Sequence, residues 1–207
     1  MLEETLKPES SKGAEHVSHL FTIDCGEIIL REYSIEDVDP IFEITSQPQV
    51  YEFLPDFKTT REQRFDWVKN YEIPSNKSFL AALPHIERQT YLRFGIILKE
   101  TNEFIGFCMT GIKEELPAPN REIAYGISKN YRNKGYTTLA VKGMMNFLFE
   151  KTNVEMLNAI ALTHNIGSIR VIQKSAFKFV EEIEIEGKLY NHYTINKSEW
   201  KRSITLS

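Results

Sequence analysis

The sequence has few cysteines, no long apolar run and no excess of basic residues. Its 207 residues include only Cys25 and Cys108, in neither a metal-ligand nor a CxxC spacing, so we expect free thiols in a reducing compartment. No uninterrupted apolar run approaches the ~20 residues that a membrane helix needs. Residues 1–17 are polar and mixed in charge, unlike a secretory signal. These observations predict a cytoplasmic protein with no membrane partner.

The charge and the histidine pattern exclude two further classes of site. The formal net charge is −4 and the isoelectric point is about 5.8, which leaves no global positive surface for nucleic acid. The five histidines show no paired metal-ligand spacing. We therefore expect neither a nucleic-acid partner nor a metal, and any basic site must be local.

The length and the hydrophobic content fit one globular domain. With 42% hydrophobic residues, the chain can bury a single proper core. Residues 1–24 contain proline, serine and glycine and little periodicity, so we predict an N-terminal extension there. The single domain is predicted to span residues 25–207. The sequence does not fix the oligomeric state.

Hydrophobic periodicity predicts an alternation of strands and helices. The strands at 121–128 and 156–162 are joined by a crossover helix and must run parallel, whereas short connections make most other neighbours antiparallel. The predicted fold class is α+β (mixed α/β), with a central mixed, mostly antiparallel sheet flanked by helices. The predicted strands are 27–33, 79–83, 91–99, 104–112, 121–128, 156–162, 177–185 and 190–195. The predicted helices lie at about 35–45, at about 61–71, through 141–148, and after Asn165, the last with a buried stripe of Ile166, Ile169, Ile172 and Ala176.

A strand, a basic turn and a helix follow one another between residues 121 and 150. The basic turn, residues 129–138, contains Gly135, which lets the backbone approach a ligand. The first amides of the following helix have no partner inside it, and the helix dipole places partial positive charge there. Arg132 and Lys134 add formal charge. The pattern indicates a phosphate site, and the alternative is an ordinary strand-to-helix loop with a solvated basic turn.

The order Arg132-x-x-Gly135-x-Thr137 resembles the Arg/Gln-x-x-Gly-x-Gly/Ala motif of the GNAT superfamily of N-acetyltransferases, which holds the pyrophosphate of acetyl-coenzyme A. The element order is similar to that family as well. Several segments resemble the RimJ/RimL-type branch, which acetylates ribosomal-protein N-termini. Three positions depart from the pattern: Thr137 replaces Gly or Ala, Leu139 replaces a common Glu, and Ala176 replaces Gly. The similar segments are 30–31, 47–55, 104–107, 121–127, 165–177 and 193–200.

The resemblance implies a GNAT-like acyl-CoA N-acyltransferase fold with acetyl-CoA as cosubstrate. It implies that backbone groups of Tyr125 and Ile127 contact the pantetheine arm, and that amides of the basic turn contact the pyrophosphate. Asn165 either reaches the cofactor or only caps its helix. The predicted cofactor-binding residues are Tyr125, Ile127, Arg132, Lys134, Gly135, Tyr136, Thr137, Thr138 and Asn165.

Two residues are candidate catalysts. Glu122 shares a strand face with the small residues Ala124 and Gly126, which leave room beside a carboxylate acting as base. The alternative is a solvated or ion-paired carboxylate near the strand start, with Arg121 as a neighbouring cation. Many GNAT enzymes use a tyrosine on the last helix as acid, where this chain has Ile172. The RimJ/RimL resemblance suggests Ser168 instead, and the alternative is a helix cap.

The expected reaction is transfer of the acetyl group of acetyl-CoA to a primary amine, by direct attack in a ternary complex. A protein N-terminal α-amine is the preferred acceptor, because an α-amine of pKa near 8 is about 10% neutral at pH 7 and a lysine amine only about 0.04%. Tyr51, Phe53 and Phe57 are predicted to line the acceptor pocket. The alternatives are a small amine such as an antibiotic or polyamine, and a non-catalytic acetyl-CoA-binding protein.

Overall fold

The computed structural model describes residues 20–89 and 91–205, with side chains given as far as Arg202. Its strands are β1 (Thr22–Asp24), β2 (Ile28–Glu32), β3 (Leu92–Leu98), β4 (Glu103–Ile112), β5 (Arg121–Ile127), β6 (Met156–Leu162), β7 (Lys178–Ile185) and β8 (Lys188–Asn196). Its helices are α1 (Val38–Thr45), α2 (Pro48–Tyr51), α3 (Arg61–Trp67), α4 (Ile73–Ala81), α5 (Tyr136–Lys151), α6 (Ile166–Lys174) and α7 (Lys197–Thr205). A π-helical turn, Val68–Glu72, joins α3 to α4.

The strands form one eight-stranded mixed sheet in the order β1-β2-β3-β4-β5-β6-β8-β7. Every neighbouring pair is antiparallel except β5 and β6, which α5 connects. This confirms the predicted α+β class and the parallel pair. The sheet begins with β1, so Thr22–Asp24 belong to it although the extension was predicted to run to residue 24. Residues 1–19 of that predicted extension lie outside the described part of the chain.

Two apolar clusters cover the two faces of the sheet. The larger cluster packs α5 onto the sheet, and Met144 and Leu148 are fully buried in it. The smaller cluster packs α1 and α2 onto the opposite face, around Phe107. A Cβ atom at Gly126 would lie 2.5 Å from the Phe107 ring, so only glycine lets that ring lie across β5. Both faces of the sheet are therefore covered by apolar side chains, and the starts of α5 and α6 lie at one end of the sheet.

Side-chain caps stand at the starts of several helices, as the sequence predicts. Ser34 and Asp37 form a capping box before α1, and the Asn165 side chain accepts a hydrogen bond from the Ser168 amide at the start of α6. The helix predicted from residue 61 begins there behind Thr60, which caps it. These three helix starts were thus predictable from the local sequence.

Two predictions about elements were wrong. Residues 79–83 do not form a strand, because the helix continues through the π-helical turn to Ala81 and buries Phe79 in the larger cluster. A short apolar run does not distinguish a strand from a buried helix end. The predicted stripe of α6 is also only partly buried. Ile172 is buried, but Ile166 is 52% exposed and Ala176 lies beyond the helix end with φ 67°.

Candidate functional site

The candidate site lies where β5 and β6 separate. These parallel strands are paired at only one position, Glu122 opposite Asn158. Beyond that pair, the edge of β5 from Ile123 to Ile127 faces a gap rather than a neighbouring strand. The helices α5 and α6 both start at this end of the sheet, after the carboxyl ends of β5 and β6. Ligands of α/β sheets bind in this type of crevice.

The start of α5 has the geometry of an anion site. Gly135 is its N-cap residue with φ 88°, a conformation that favours glycine, and no side chain caps the helix. A Cβ atom at Gly135 would meet nothing within 4 Å, so the space above the turn is open. The first amides of α5 therefore point into open space with the positive end of the helix dipole. These features fit the diphosphate of a coenzyme A molecule.

Arg132 and Lys134 are both exposed beside this helix start, in the basic turn. The Arg132 guanidinium donates to the carbonyl oxygen of Gln49, and the Lys134 ammonium lies 5.2 Å from the centre of the Tyr131 ring. The Gln47 side chain accepts a hydrogen bond from the Lys129 amide at 2.8 Å. The start of α2 and the residue before it are thus hydrogen-bonded to the basic turn, a connection that sequence spacing did not reveal.

Thr137 differs from the Gly or Ala of the similar motif without filling the open space. Its side chain is only 8% exposed and lies on the buried stripe of α5, together with Ala140, Val141 and Met144. At the preceding and following positions, Tyr136 and Thr138 are half-buried. The backbone amides of all three stay at the helix start. Their predicted contacts with a cofactor remain predictions.

Glu122 is a half-buried carboxylate at the vertex of the gap. Burial raises its pKa to about 7, an effect that the Lys113 charge partly opposes. Among the described residues, its carboxylate forms neither a hydrogen bond nor an ion pair. The Arg121 guanidinium instead donates to the carbonyl oxygen of Gln89 at 2.7 Å, on the other side of the strand. In the described part of the chain, no ion pair joins Arg121 to Glu122, and a solvated carboxylate remains the alternative to a base.

Other charged and polar side chains lie near Glu122. The sequence does not indicate that these residues lie close together. Lys113 forms an ion pair with Glu115 at 2.7 Å. Tyr190, on β8, has its pKa raised, first by burial and then by the nearby charges of Glu186, Asp56 and Glu122. The charges that act on Glu122 are thus the Lys113 ammonium and the Glu115 carboxylate, while Asp56 and Glu186 act on Tyr190.

A buried polar clamp holds the start of β5. The Asn158 amide donates to the carbonyl oxygens of Pro119 and Arg121 at 2.9 and 3.1 Å. The His192 Nε2 lies 2.9 Å from the Asn158 Oδ1, so this nitrogen carries the proton. Burial lowers the pKa of His192, and the ring is neutral at pH 7. The clamp fixes the only point at which β5 and β6 are paired, beside Glu122.

Across the gap, Tyr125 and Ser168 form a hydroxyl pair. The Tyr125 phenol oxygen lies 2.8 Å from the Ser168 Oγ and donates toward the Ser168 carbonyl oxygen at 3.1 Å. The Ser168 amide is bound by the Asn165 side chain at 3.1 Å, so Asn165 caps α6. Sequence reasoning assigned only the backbone of Tyr125 to the site and missed its side chain. The available sequence signal was the alternation of side chains along β5, which places Tyr125 on the face opposite to Glu122.

The predicted acceptor residues lie on one segment but have different surroundings. The Phe53 ring centre is 5.8 Å from that of His164, next to the start of α6. Tyr51 carries the Lys58 ammonium 4.3 Å above its ring. Phe57 stacks on Phe107 with ring centres 5.4 Å apart and so supports the smaller cluster. Phe53 is the best placed of the three to contact an acceptor, and the role of all three remains a prediction.

Within residues 20–89 and 91–205, no group of three or more His, Cys, Asp or Glu side chains is arranged to hold a metal ion. In the same part of the chain, no helix combines the length and apolarity needed to cross a bilayer. Cys25 and Cys108 are both free thiols.

Comparisons with known proteins agree with this geometry. A family model described as an acetyltransferase (GNAT) domain matches residues 27–178. The uncharacterized N-acetyltransferase YnaD of Bacillus subtilis (strain 168) is 24% identical over 179 residues, which cover 84% of this chain and 95% of YnaD.

Two solved structures share the fold. The aminoglycoside acetyltransferase AAC(6')-Ib in complex with coenzyme A and kanamycin superposes with a TM-score of 0.68, 15% identity, and coverage of 86% of this chain and 99% of that one. A protein described as a putative ribosomal-protein-serine acetyltransferase, from Vibrio cholerae, superposes with a TM-score of 0.62, 14% identity, and coverage of 85% and 97%. Together with the family match, the fold and the open helix start show that the chain belongs to the GNAT family of acetyl-CoA-dependent N-acetyltransferases.

Proposed function

We propose that this enzyme transfers the acetyl group of acetyl-CoA to the α-amine of a protein N-terminus, as a member of the RimJ/RimL-type branch. The observation that carries the proposal is the carboxylate of Glu122, half-buried at the vertex of the gap with a pKa of about 7. A base of this strength is partly ionised at neutral pH, so it can take a proton from an amine.

The lower pKa of an α-amine favours it over a lysine side chain as the acceptor. Glu122, with its pKa of about 7, takes a proton from an α-ammonium of pKa about 8 at a smaller cost in free energy than from a lysine ammonium of pKa about 10.4. The difference between the two amines, about 3 kcal/mol, corresponds to a factor of more than ~100 in rate. A weakly basic amine therefore asks less of Glu122 as a base.

In the proposed arrangement, acetyl-CoA supplies the activated acetyl group. Amides of Gly135 to Thr138 bind its diphosphate, with Arg132 and Lys134 as charge partners. Tyr125 and Ile127 offer backbone groups along the open edge of β5, and Asn165 orders the start of α6. The acceptor amine approaches Glu122 and attacks directly, without an acetylated enzyme. Ser168 donates a hydrogen bond to the leaving sulfur.

A small cationic amine is a second candidate acceptor. The carboxylates of Glu122 and Glu115, together with Asp56 and Glu186 near Tyr190, attract positive charge, although the ammonium of Lys113 opposes them. The fold shared with AAC(6')-Ib, solved with kanamycin, is compatible with such an acceptor. An aminoglycoside would bind these carboxylates through several ammonium groups at once.

Thiol release from acetyl-CoA over a panel of acceptors tests the proposal. The panel contains peptides with a free N-terminus, the same peptides with a blocked N-terminus and an internal lysine, kanamycin, and a polyamine. We expect turnover with the free N-terminal peptides and loss of turnover when the N-terminus is blocked. Turnover with kanamycin or the polyamine but with no peptide would replace the proposed acceptor by a small amine. Thiol release with none of them would overturn both candidates.

A further inference from the structure

We propose that Tyr125 is a positioning residue whose phenol turns the hydroxyl of Ser168 toward the leaving sulfur. The inference rests on the proposed function, because it concerns the same transfer at the same site. Tyr125 lies on β5 and Ser168 lies on α6, and the sequence alone does not indicate that their side chains are in contact.

The two distances at Tyr125 define two hydrogen-bond arrangements. The phenol oxygen is close to both the Ser168 Oγ, at 2.8 Å, and the Ser168 carbonyl oxygen, at 3.1 Å. A carbonyl oxygen only accepts, and a phenol has one proton to donate. In the first arrangement the phenol donates to the carbonyl, and the serine hydroxyl donates to the phenol. In the second the phenol donates to the Ser168 Oγ, and the serine proton is free for another acceptor.

Rotation of the two hydroxyl groups is enough to interconvert these arrangements. The backbone of Ser168 is held by the Asn165 cap at its amide. The Tyr125 ring packs against the larger apolar cluster, and its hydroxyl reaches across the gap to α6. The backbone of Ser168 and the ring of Tyr125 are thus both held, and the directions of the two O–H bonds can change. A preorganised donor of this kind costs little reorganisation when charge develops.

The position of the pair explains how a site without a tyrosine on α6 supports the departing thiol. Ile172, four residues after Ser168, is 1% exposed and packs in the larger cluster. Position 172 therefore has no phenol. The Tyr125 phenol, from β5, instead contacts the first turn of the same helix. The hydroxyl pair lies beside the open edge of β5, where the pantetheine arm is proposed to bind.

The step balances without ionisation of the pair. Glu122 takes one proton from the acceptor ammonium, and the neutral nitrogen then forms a bond to the acetyl carbon. The carbon–sulfur bond breaks with its electron pair on sulfur, to which the Ser168 hydroxyl donates a hydrogen bond while Tyr125 donates to Ser168. The second proton lost by the nitrogen passes through water to the thiolate, which leaves as the neutral thiol. Burial raises the pKa of the Tyr125 phenol far above its usual value, so the phenol keeps its proton throughout the working pH range.

A double-mutant cycle with Tyr125→Phe and Ser168→Ala tests this coupling. Ser168→Ala keeps the amide that Asn165 binds, so it removes the hydroxyl but not the cap. We expect Ser168→Ala to lower kcat about 100-fold and Tyr125→Phe about 10-fold, with the KM for acetyl-CoA changed less than about twofold. The double variant should match Ser168→Ala within about twofold, because Tyr125 acts only through that hydroxyl. Ser168→Thr, which retains a hydroxyl, should recover most of kcat.

The controls separate a structural role from a positioning role. Tyr91→Phe removes a phenol from an exposed ring, and Ser175→Ala removes a buried hydroxyl with no hydrogen-bond partner at the other end of α6; both should retain wild-type kcat. Independent losses that multiply in the double variant, or wild-type kcat in Tyr125→Phe, would overturn the coupling while the acetyltransferase activity stands. A wild-type enzyme inactive on the whole acceptor panel would overturn the proposed function and this inference together.

Discussion

At the scale of single residues, Glu122 connects the chemistry of the site with the stability of the protein. Its carboxylate is half-buried, and burial raises its pKa to about 7. The ionised form that acts as a base is therefore the form that the fold disfavours. Active sites commonly contain such groups, and they contribute to the trade-off between activity and stability.

Replacement of Glu122 by Gln should lower turnover strongly while coenzyme A affinity is retained. We expect kcat/KM to fall about 10²- to 10⁴-fold, the usual contribution of a general base. In the wild type, kcat/KM should rise with pH through about 7, because only the carboxylate accepts the amine proton. The residual activity of Glu122→Gln should lack this rise of kcat/KM with pH. Steady-state rates from pH 5 to 9 measure this, and unchanged turnover would remove Glu122 from the mechanism.

The same substitution should stabilise the protein at high pH. The folded-state pKa of about 7 lies above the ordinary value of 4.5, so the folded protein binds more protons than the unfolded chain between these values. Stability from this group is therefore present below pH about 4.5 and lost as the pH rises through 7, at most about 3 kcal/mol. Glu122→Gln should accordingly gain free energy of unfolding relative to wild type as the pH increases from 5 to 8. Urea denaturation at several pH values measures the difference, and a pH-independent difference would contradict the burial effect.

At the scale of secondary-structure elements, the start of α5 determines where an anion binds. The helix begins behind a glycine with positive φ and has no side-chain cap among the described residues. The turn before it has three exposed cations, of which Arg132 and Lys134 are closest in sequence to the helix. Backbone amides, helix dipole and formal charges all act at one point there. Of the two cations, Arg132 also donates to Gln49, so Lys134 gives the cleaner test.

Lys134→Ala should weaken coenzyme A binding about tenfold, or about 1.4 kcal/mol, because one charge partner of the diphosphate is lost. The loss should shrink as the salt concentration rises, since an exposed charge is screened. Calorimetric titration with coenzyme A at low and high salt measures both effects. Lys142→Ala removes an exposed lysine in the middle of the same helix and serves as the matched control. Equal affinities of wild type and Lys134→Ala at low salt would place the diphosphate elsewhere.

Elements with a long, regular pattern were predictable from the sequence. The strand Met156–Leu162 was predicted with its exact limits, and Val141, Met144, Met145 and Leu148 of α5 are all buried as their spacing indicated. The short apolar run at 79–83 was not, because tertiary packing continues a helix through it. Within the site, the Tyr125–Ser168 pair and the groups around Glu122 come from distant parts of the chain. Their contacts depend on strand register and the separation of β5 from β6, which local spacing does not encode.

At the scale of the whole molecule, cofactor binding should be coupled to folding. A ligand that binds only the folded state adds about 2.7 kcal/mol of stability at 100 times its Kd. For a domain of this size, that corresponds to an increase of roughly 5–11 °C in Tm. Thermal unfolding with coenzyme A should show this shift, and pantetheine, which lacks the diphosphate, should give a much smaller one. Equal shifts with both ligands would show that the basic turn contributes no binding energy.

The single pairing position between β5 and β6 has a kinetic consequence. The sheet is divided there into a section that ends with β5, which carries Glu122, and a section that begins with β6, which carries Asn158 and leads to Ser168. The proposed base and the proposed sulfur-binding hydroxyl thus belong to different sections joined by few main-chain bonds. A pantetheine arm lying against the edge of β5 would bridge them and fix their separation before any amine reaches Glu122. We therefore expect an obligatory order of substrate addition, with acetyl-CoA first.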